Sequence, residues 1–206
     1  MIEYFLRYHR RLTDALLQHI TLVGIVLIIS VICAFAITFL VMHNKRLSNT
    51  VVRVFGVVYS IPSLALFAVL IPVLGIGIKT AVVVLVLYNQ FLLIRNFLSG
   101  FNSVDPVIIE AASGMGMTRL QILLKITLPL SIPAIFAGIH LASVSTIGIA
   151  TIAAVINAGG IGTILFDGLR TLNTVKIVWG TILAGGLAIG TNAILGLIEK
   201  KLSDKQ

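Results

Sequence analysis

A stretch of about twenty apolar residues can cross a bilayer only as a helix, because lipid offers no partner to a bare N–H or C=O group. This chain repeats that feature five times, over residues 20–42, 54–74, 78–98, 130–156 and 175–198. The polar segments between them are too short to fold alone. Residues 1–206 therefore read as a single all-α membrane domain with about five transmembrane helices. Composition agrees: 58% of the residues are hydrophobic and 11% charged, which excludes the soluble globular class. Residues 1–18 set Phe5, Leu12 and Leu16 against Arg7, Arg11 and Asp14 at helical spacing, the pattern of a helix lying in the membrane interface. The apolar run that follows continues to Met42, too long for a signal peptide.

Polar punctuation divides the rest. Residues 43–53 read as a short cytoplasmic connection carrying Lys45, Arg46 and Arg53. Pro62 falls inside the second span, where it frees a carbonyl and kinks the helix, a feature tolerated only against protein or water. Residues 75–77 make a tight turn. The third span carries Asn89, Gln90 and, nearer its end, Arg95, which can snorkel to the interface. The fourth carries His140, Ser143 and Thr146. These polar residues have two readings: Asn89, Gln90, His140, Ser143 and Thr146 line a substrate path, or they bond helices together. Residues 157–162 form a glycine-rich break without the Lys-Ser/Thr of a phosphate-binding loop. Residues 166–174 read as a polar connection to the last span.

One long segment, 100–130, is different in kind. Residues 108–113 form a short helical run that Gly114 and Gly116 end by permitting left-handed backbone. Thr118 stands three residues before Gln121, the spacing of a capping box that starts a second helix toward Pro129. The outcome is a helix–glycine turn–helix knuckle projecting from the membrane.

The order Glu110, Ala111, Ala112, a gap of three, Gly116, a gap of nine, then Ile126, Leu128 and Pro129 resembles the EAA loop of ABC-importer permeases. Residues 61–66 (IPSLAL), 71–77 (IPVLGIG), 114–118 (GMGMT) and 158–162 (AGGIG) are similar to the osmoprotectant branch of those permeases, which moves glycine betaine, carnitine or choline. The resemblance implies a type I importer (MetI-like) permease fold. It also implies that Glu110, Ala111, Ala112, Gly114 and Gly116 couple to an ATPase from the cytoplasmic face of a bacterial inner membrane. Its implied partners are two copies of an ABC ATPase, which carries the ATP and Mg, a second permease, identical or paralogous, and an extracytoplasmic substrate-binding protein. A related importer for another zwitterion, such as ergothioneine or an amino acid, is the alternative in the same class.

The remaining residues fit that division of labour. The net charge of +8 is scattered among apolar runs rather than gathered in a patch, which suits lipid headgroups and cytoplasmic loops and not nucleic acid. Cys33 is the only cysteine, so no internal disulfide is available. No phosphate-binding loop, catalytic set or metal cluster stands out, so the chain is expected to be no enzyme and to bind no cofactor of its own. No acidic residue lies mid-span to carry a proton, which disfavours an autonomous carrier or channel; His140 is the sole ionisable candidate. With five spans and a cytoplasmic knuckle, the N-terminus lies outside and the C-terminus inside. Nine of the Lys and Arg residues then fall on the cytoplasmic side and six outside.

Overall fold

The computed structural model describes residues 2–203, and they are almost entirely helical. Among the described residues four helices are long and apolar enough to cross a membrane: α1 (Ile2–Val41), α4 (Ile78–Asn102), α8 (Ile132–Ile152, extended by a 3-10 turn over Ala153–Ile156) and α10 (Thr174–Ser203). The fifth crossing is a broken pair, α2 (Lys45–Ser60) and α3 (Ser63–Leu74), which meet at 96°.

Two expectations change at the N-terminal end. The separate interfacial helix expected over residues 1–18 is continuous with the first span, with one local break in helical geometry at Tyr8 (φ −122°, ψ 16°). Leu12 and Ala15 of this region are buried against Ile164. The polar connection expected over 43–53 is mostly helix. Asn44 starts α2 early by accepting the N–H groups of Arg46 and Leu47 on its side-chain oxygen, at 3.1 and 3.2 Å.

Pro62 does more than kink its span. Ile61 and Pro62 are both extended (ψ 132° and 133°), so the helix stops and restarts in a new direction. The Ile61 carbonyl released by this elbow accepts the Tyr88 hydroxyl of α4. Gly75 (φ 82°) and Gly77 (φ 121°) then make the turn into α4, a conformation that favours glycine.

α4 is the axis of the bundle. One apolar cluster joins its first half to α1, α3 and α8 through Val26, Phe67, Val84, Tyr88 and Ile147. A second joins its latter half to the end of α1 and the start of α8 through Ala34, Leu93, Phe97 and Ile135. Small residues let α4 and α8 approach closely. A Cβ on Gly138 would stand 2.8 Å from Asn96 Cβ, and one on Gly100 would stand 2.9 Å from Ala134 Cβ.

The polar connection expected over 166–174 is largely a helix, α9 (Gly162–Arg170). It wedges between α1 and α10: Ile164 is buried with Leu12 and Ala15, and Trp179 packs alongside. Asn157 (φ 59°), Gly159 and Gly160 (both φ 80°) turn the chain sharply enough to place it there. Most of α10 faces outward, with Ile182, Ile189 and Leu197 exposed.

Candidate functional site

The knuckle is built from α5 (Pro106–Gly114) and α6 (Arg119–Ile122). Asp105 caps α5 by accepting the Val107 N–H at 2.9 Å, and Pro106 occupies the first turn, where its missing N–H costs nothing. At the other end the Met117 N–H donates to the Ala112 carbonyl (3.2 Å) and the Gly116 N–H to the Ser113 carbonyl (3.0 Å). That pair of bonds is a Schellman motif, and it requires the left-handed residue supplied by Gly116 (φ 82°). Gly114, also expected to adopt left-handed backbone, is instead the last residue of α5; only Gly116 does so.

Both halves of the expected capping box form. The Gln121 N–H donates to the Thr118 hydroxyl oxygen (3.3 Å), and the Thr118 N–H donates to Gln121 Oε1 (2.8 Å). Beyond α6 the chain runs on toward Pro129 in helical form, as expected. A π-helical turn over Leu123–Thr127 and a helical turn α7 (Leu128–Leu130) carry it past the proline, and it breaks at Ser131 just before α8. The missing Pro129 N–H interrupts the regular hydrogen-bond ladder at this point.

The faces of the knuckle differ. Ala112 is buried, anchoring α5 to the rest of the chain. Glu110, Ala111 and Gly114 are exposed. Val107, Ala111 and Met115 are four residues apart and form an open apolar stripe on one face, Val107 and Met115 being 67% and 76% exposed. A rigid, capped helix offering an unpaired apolar stripe beside a carboxylate is suited to seating in a groove of another protein.

The polar residues of the spans do not converge on one route. Asn89, Gln90, Ser143 and Thr146 are all buried inside the bundle. The Asn89 amide donates to Ser30 Oγ of α1 (3.1 Å) and Thr146 Oγ1 of α8 (2.9 Å), tying three helices together. Thr146 in turn donates to the Ala142 carbonyl at 2.7 Å. Gln90 donates to the carbonyls of Ser30 and Val86. Ser143 bonds back to Ile139 O within its own helix. His140 stands apart against α10, 2.5 Å from Asn192 Oδ1 and 3.3 Å from Glu199 Oε2.

Sequence reasoning missed Ser30, Gln18 and His19. Gln18 Oε1 accepts the Gly160 N–H (3.1 Å), and His19 Nδ1 accepts the Ile161 N–H (3.3 Å) while Nε2 faces the Ile147 carbonyl (3.2 Å). Together they pin the glycine-rich break to α1. Two amide- or imidazole-bearing residues opening an apolar run were the available signal; their distant partners were not.

A charged cluster closes the end of the bundle opposite the knuckle. Asp167 of α9 accepts from Lys176 (3.0 Å) and Arg11 (3.1 Å), with Arg170 at 3.8 Å. The Lys176 hydrogen bond, aided by the charges of Lys176 and Arg11, holds the Asp167 carboxyl below its ordinary value, against a smaller opposing effect of burial.

The sequence profile of the family described as binding-protein-dependent transport system inner membrane component matches residues 12–205. Among characterised relatives, the chain is 35% identical to the carnitine transport permease protein OpuCB of Listeria monocytogenes, over 91% of this chain and 86% of that one. It is 37% identical to the choline transport system permease protein OpuBD of Bacillus subtilis, covering 80% of this chain and 73% of that protein. The osmoprotectant import permease protein OsmW of Salmonella typhimurium is 32% identical over 99% of this chain and 97% of its own length. Among solved structures, an inward-facing MetNI methionine ABC transporter matches with a TM-score of 0.83, covering 93% of this chain and 95% of that chain; at 19% identity this speaks for the fold alone. The chain is an ABC-importer permease and belongs to the family of binding-protein-dependent transport system inner membrane components.

Proposed function

We propose that this permease imports a compatible solute of the glycine betaine, carnitine or choline type, driven by ATP hydrolysis on a separate subunit. The observation that carries the reading is the knuckle: a Schellman turn at Gly116 and a capping box at Thr118 hold α5 rigid, with its apolar stripe unpaired. The named substrates of the relatives, which include carnitine and choline, supply the solute class.

In this reading two ABC ATPase subunits bind and hydrolyse ATP with Mg, and each takes one α5 into a groove. Ala111 allows close approach, Glu110 makes the polar contact, Ala112 transmits movement to the core, and Gly116 fixes the angle. Gly114, open to the surface, leaves room for the groove wall. The knuckle and C-terminus lie in the cytoplasm, the N-terminus outside, and a second permease copy or paralogue completes the path. A binding protein delivers solute to the outer face and sets most of the selectivity. Asn89, Gln90 and Thr146 then serve as ties between helices of one protomer, and Ser143 bonds only within α8.

The test is a mild-detergent pull-down of the tagged chain from its native membrane, followed by ATPase assays with betaine, choline, carnitine and ergothioneine. Co-purification of an ATPase and a binding protein, with stimulation by betaine, choline or carnitine, is expected. A chain free of any ATPase under conditions that preserve other ABC complexes would refute the coupling reading. Stimulation by ergothioneine alone would refute the solute class.

A further inference from the structure

A cleft of about 680 Å³ opens between α2 and α4, at the end of the bundle that carries the knuckle. Lys45, Asn49 and Arg53 line it from successive turns of α2, and Arg95, Ser99 and Asn102 line it from α4. Three cations thus converge from two helices, with neutral hydrogen-bonding side chains between them. No carboxylate of the described residues lines the cleft. Among the described residues, none of the three cations is in an ion pair; all the ion pairs there centre on Asp167 or join His140 to Glu199. The Arg95 guanidinium carbon lies 5.9 Å from the centroid of the Phe91 ring. A topological preference for basic residues on one side of the membrane accounts for their sign, but not for their facing one another unneutralised.

The lining is not wholly polar: Met42, Val52 and Leu98 give the cleft an apolar wall beside the buried Ser48. A phosphate in the mouth of this cleft meets two guanidinium groups and an ammonium, together with hydroxyl and amide donors. A hydrocarbon chain attached to that phosphate meets apolar side chains. We infer that the α2–α4 cleft holds the phosphodiester of an anionic phospholipid headgroup, bound by Lys45, Arg53 and Arg95. The chemistry recognised is a phosphate anion, and free phosphate is the competing source. The apolar wall favours the lipid.

The test uses the full chain purified in neutral detergent and titrated with phosphatidylglycerol or with phosphatidylcholine of the same acyl chains. Retained lipid is counted by native mass spectrometry. Phosphatidylglycerol is expected to bind more tightly, and each of Lys45→Gln, Arg53→Gln and Arg95→Gln to weaken it about fivefold, the triple variant about a hundredfold. All three side chains are exposed, so the variants leave the buried clusters intact. A control with the same loss of charge at the opposite end, Arg7→Gln with Arg10→Gln and Lys79→Gln, is expected to bind as the unmodified chain does. Equal retention of the two lipids would overturn the inference, as would an equal loss in the control or an unaffected triple variant. Displacement of phosphatidylglycerol by millimolar inorganic phosphate would place a soluble anion in the cleft and overturn the lipid assignment.

Discussion

Replacing Asn89 with leucine separates a tie between helices from a residue of the solute path. Leucine has the same branched side-chain skeleton as asparagine, so the change removes hydrogen bonds without opening a cavity, and its bulkier methyl groups add a packing cost on the order of 1 kcal/mol. Two interhelical bonds are lost, to Ser30 Oγ and Thr146 Oγ1. Interhelical hydrogen bonds in membranes average about 0.6 kcal/mol and reach about 1.7. The expected destabilisation, lost bonds and added bulk together, is therefore about 2 kcal/mol, with a ceiling of about 4. The hydroxyls left behind limit the damage: Thr146 retains the Ala142 carbonyl, whereas Ser30 Oγ loses this donor. The assay is twofold, unfolding of the purified chain by SDS titration and solute uptake by the reconstituted importer. A loss of stability in that range with unchanged KM for solute is expected. Unchanged stability with a shifted KM would refute the reasoning and return Asn89 to the path.

Other outcomes follow from the same geometry. Gly162→Ala places a Cβ 1.9 Å from the Thr151 carbonyl oxygen and 2.7 Å from Ala154 Cβ, so a backbone shift costing about 3 kcal/mol or more is expected in the same titration. Gly148→Ala has no atom within 4 Å of its new Cβ and should be neutral or slightly stabilising. Thr118→Ala removes the capping box and should destabilise the start of α6 by about 1 kcal/mol, seen as faster amide exchange at Gln121 and Ile122. Acid should loosen the contact of α9 with α1 and α10. The folded-state pKa of Asp167 is depressed, so its contribution is present above the unfolded value of about 3.9 and is lost as pH falls through the folded value. Asp167→Asn should flatten stability against pH over that acid range.

Legibility in the sequence followed local chemistry. The capping box at Thr118 and Gln121 and the turn at Gly116 are set by residues within a few positions of one another, and both form as read. The ring of Pro62 alone predicts no more than a kink. The bias it places on Ile61 toward extended backbone turns a kink into a 96° elbow. α9 escaped notice because its nine residues mix Asp167 and Arg170 with Ile164, Leu165 and Phe166 in too short a run to show a period. Its helicity rests on packing against Leu12 and Trp179, more than 150 residues away in one case. For the same reason residues 1–18 looked like a free interfacial helix: their partner was not visible as a helix. The π-turn before Pro129 likewise arises from how the chain absorbs a missing donor, which several backbone solutions satisfy equally well.

The most direct measurement of the coupling reading is solute uptake by proteoliposomes holding the complete importer with Gly116→Pro in the permease. Proline holds φ near −65°, whereas Gly116 stands at +82°, so the Schellman turn cannot form. The knuckle lies outside both main apolar clusters, and the chain should still fold and insert. Loss of uptake with retained folding, and with ATPase activity no longer stimulated by solute, is the result expected. Uptake and stimulation at unmodified levels would contradict the coupling role of the knuckle.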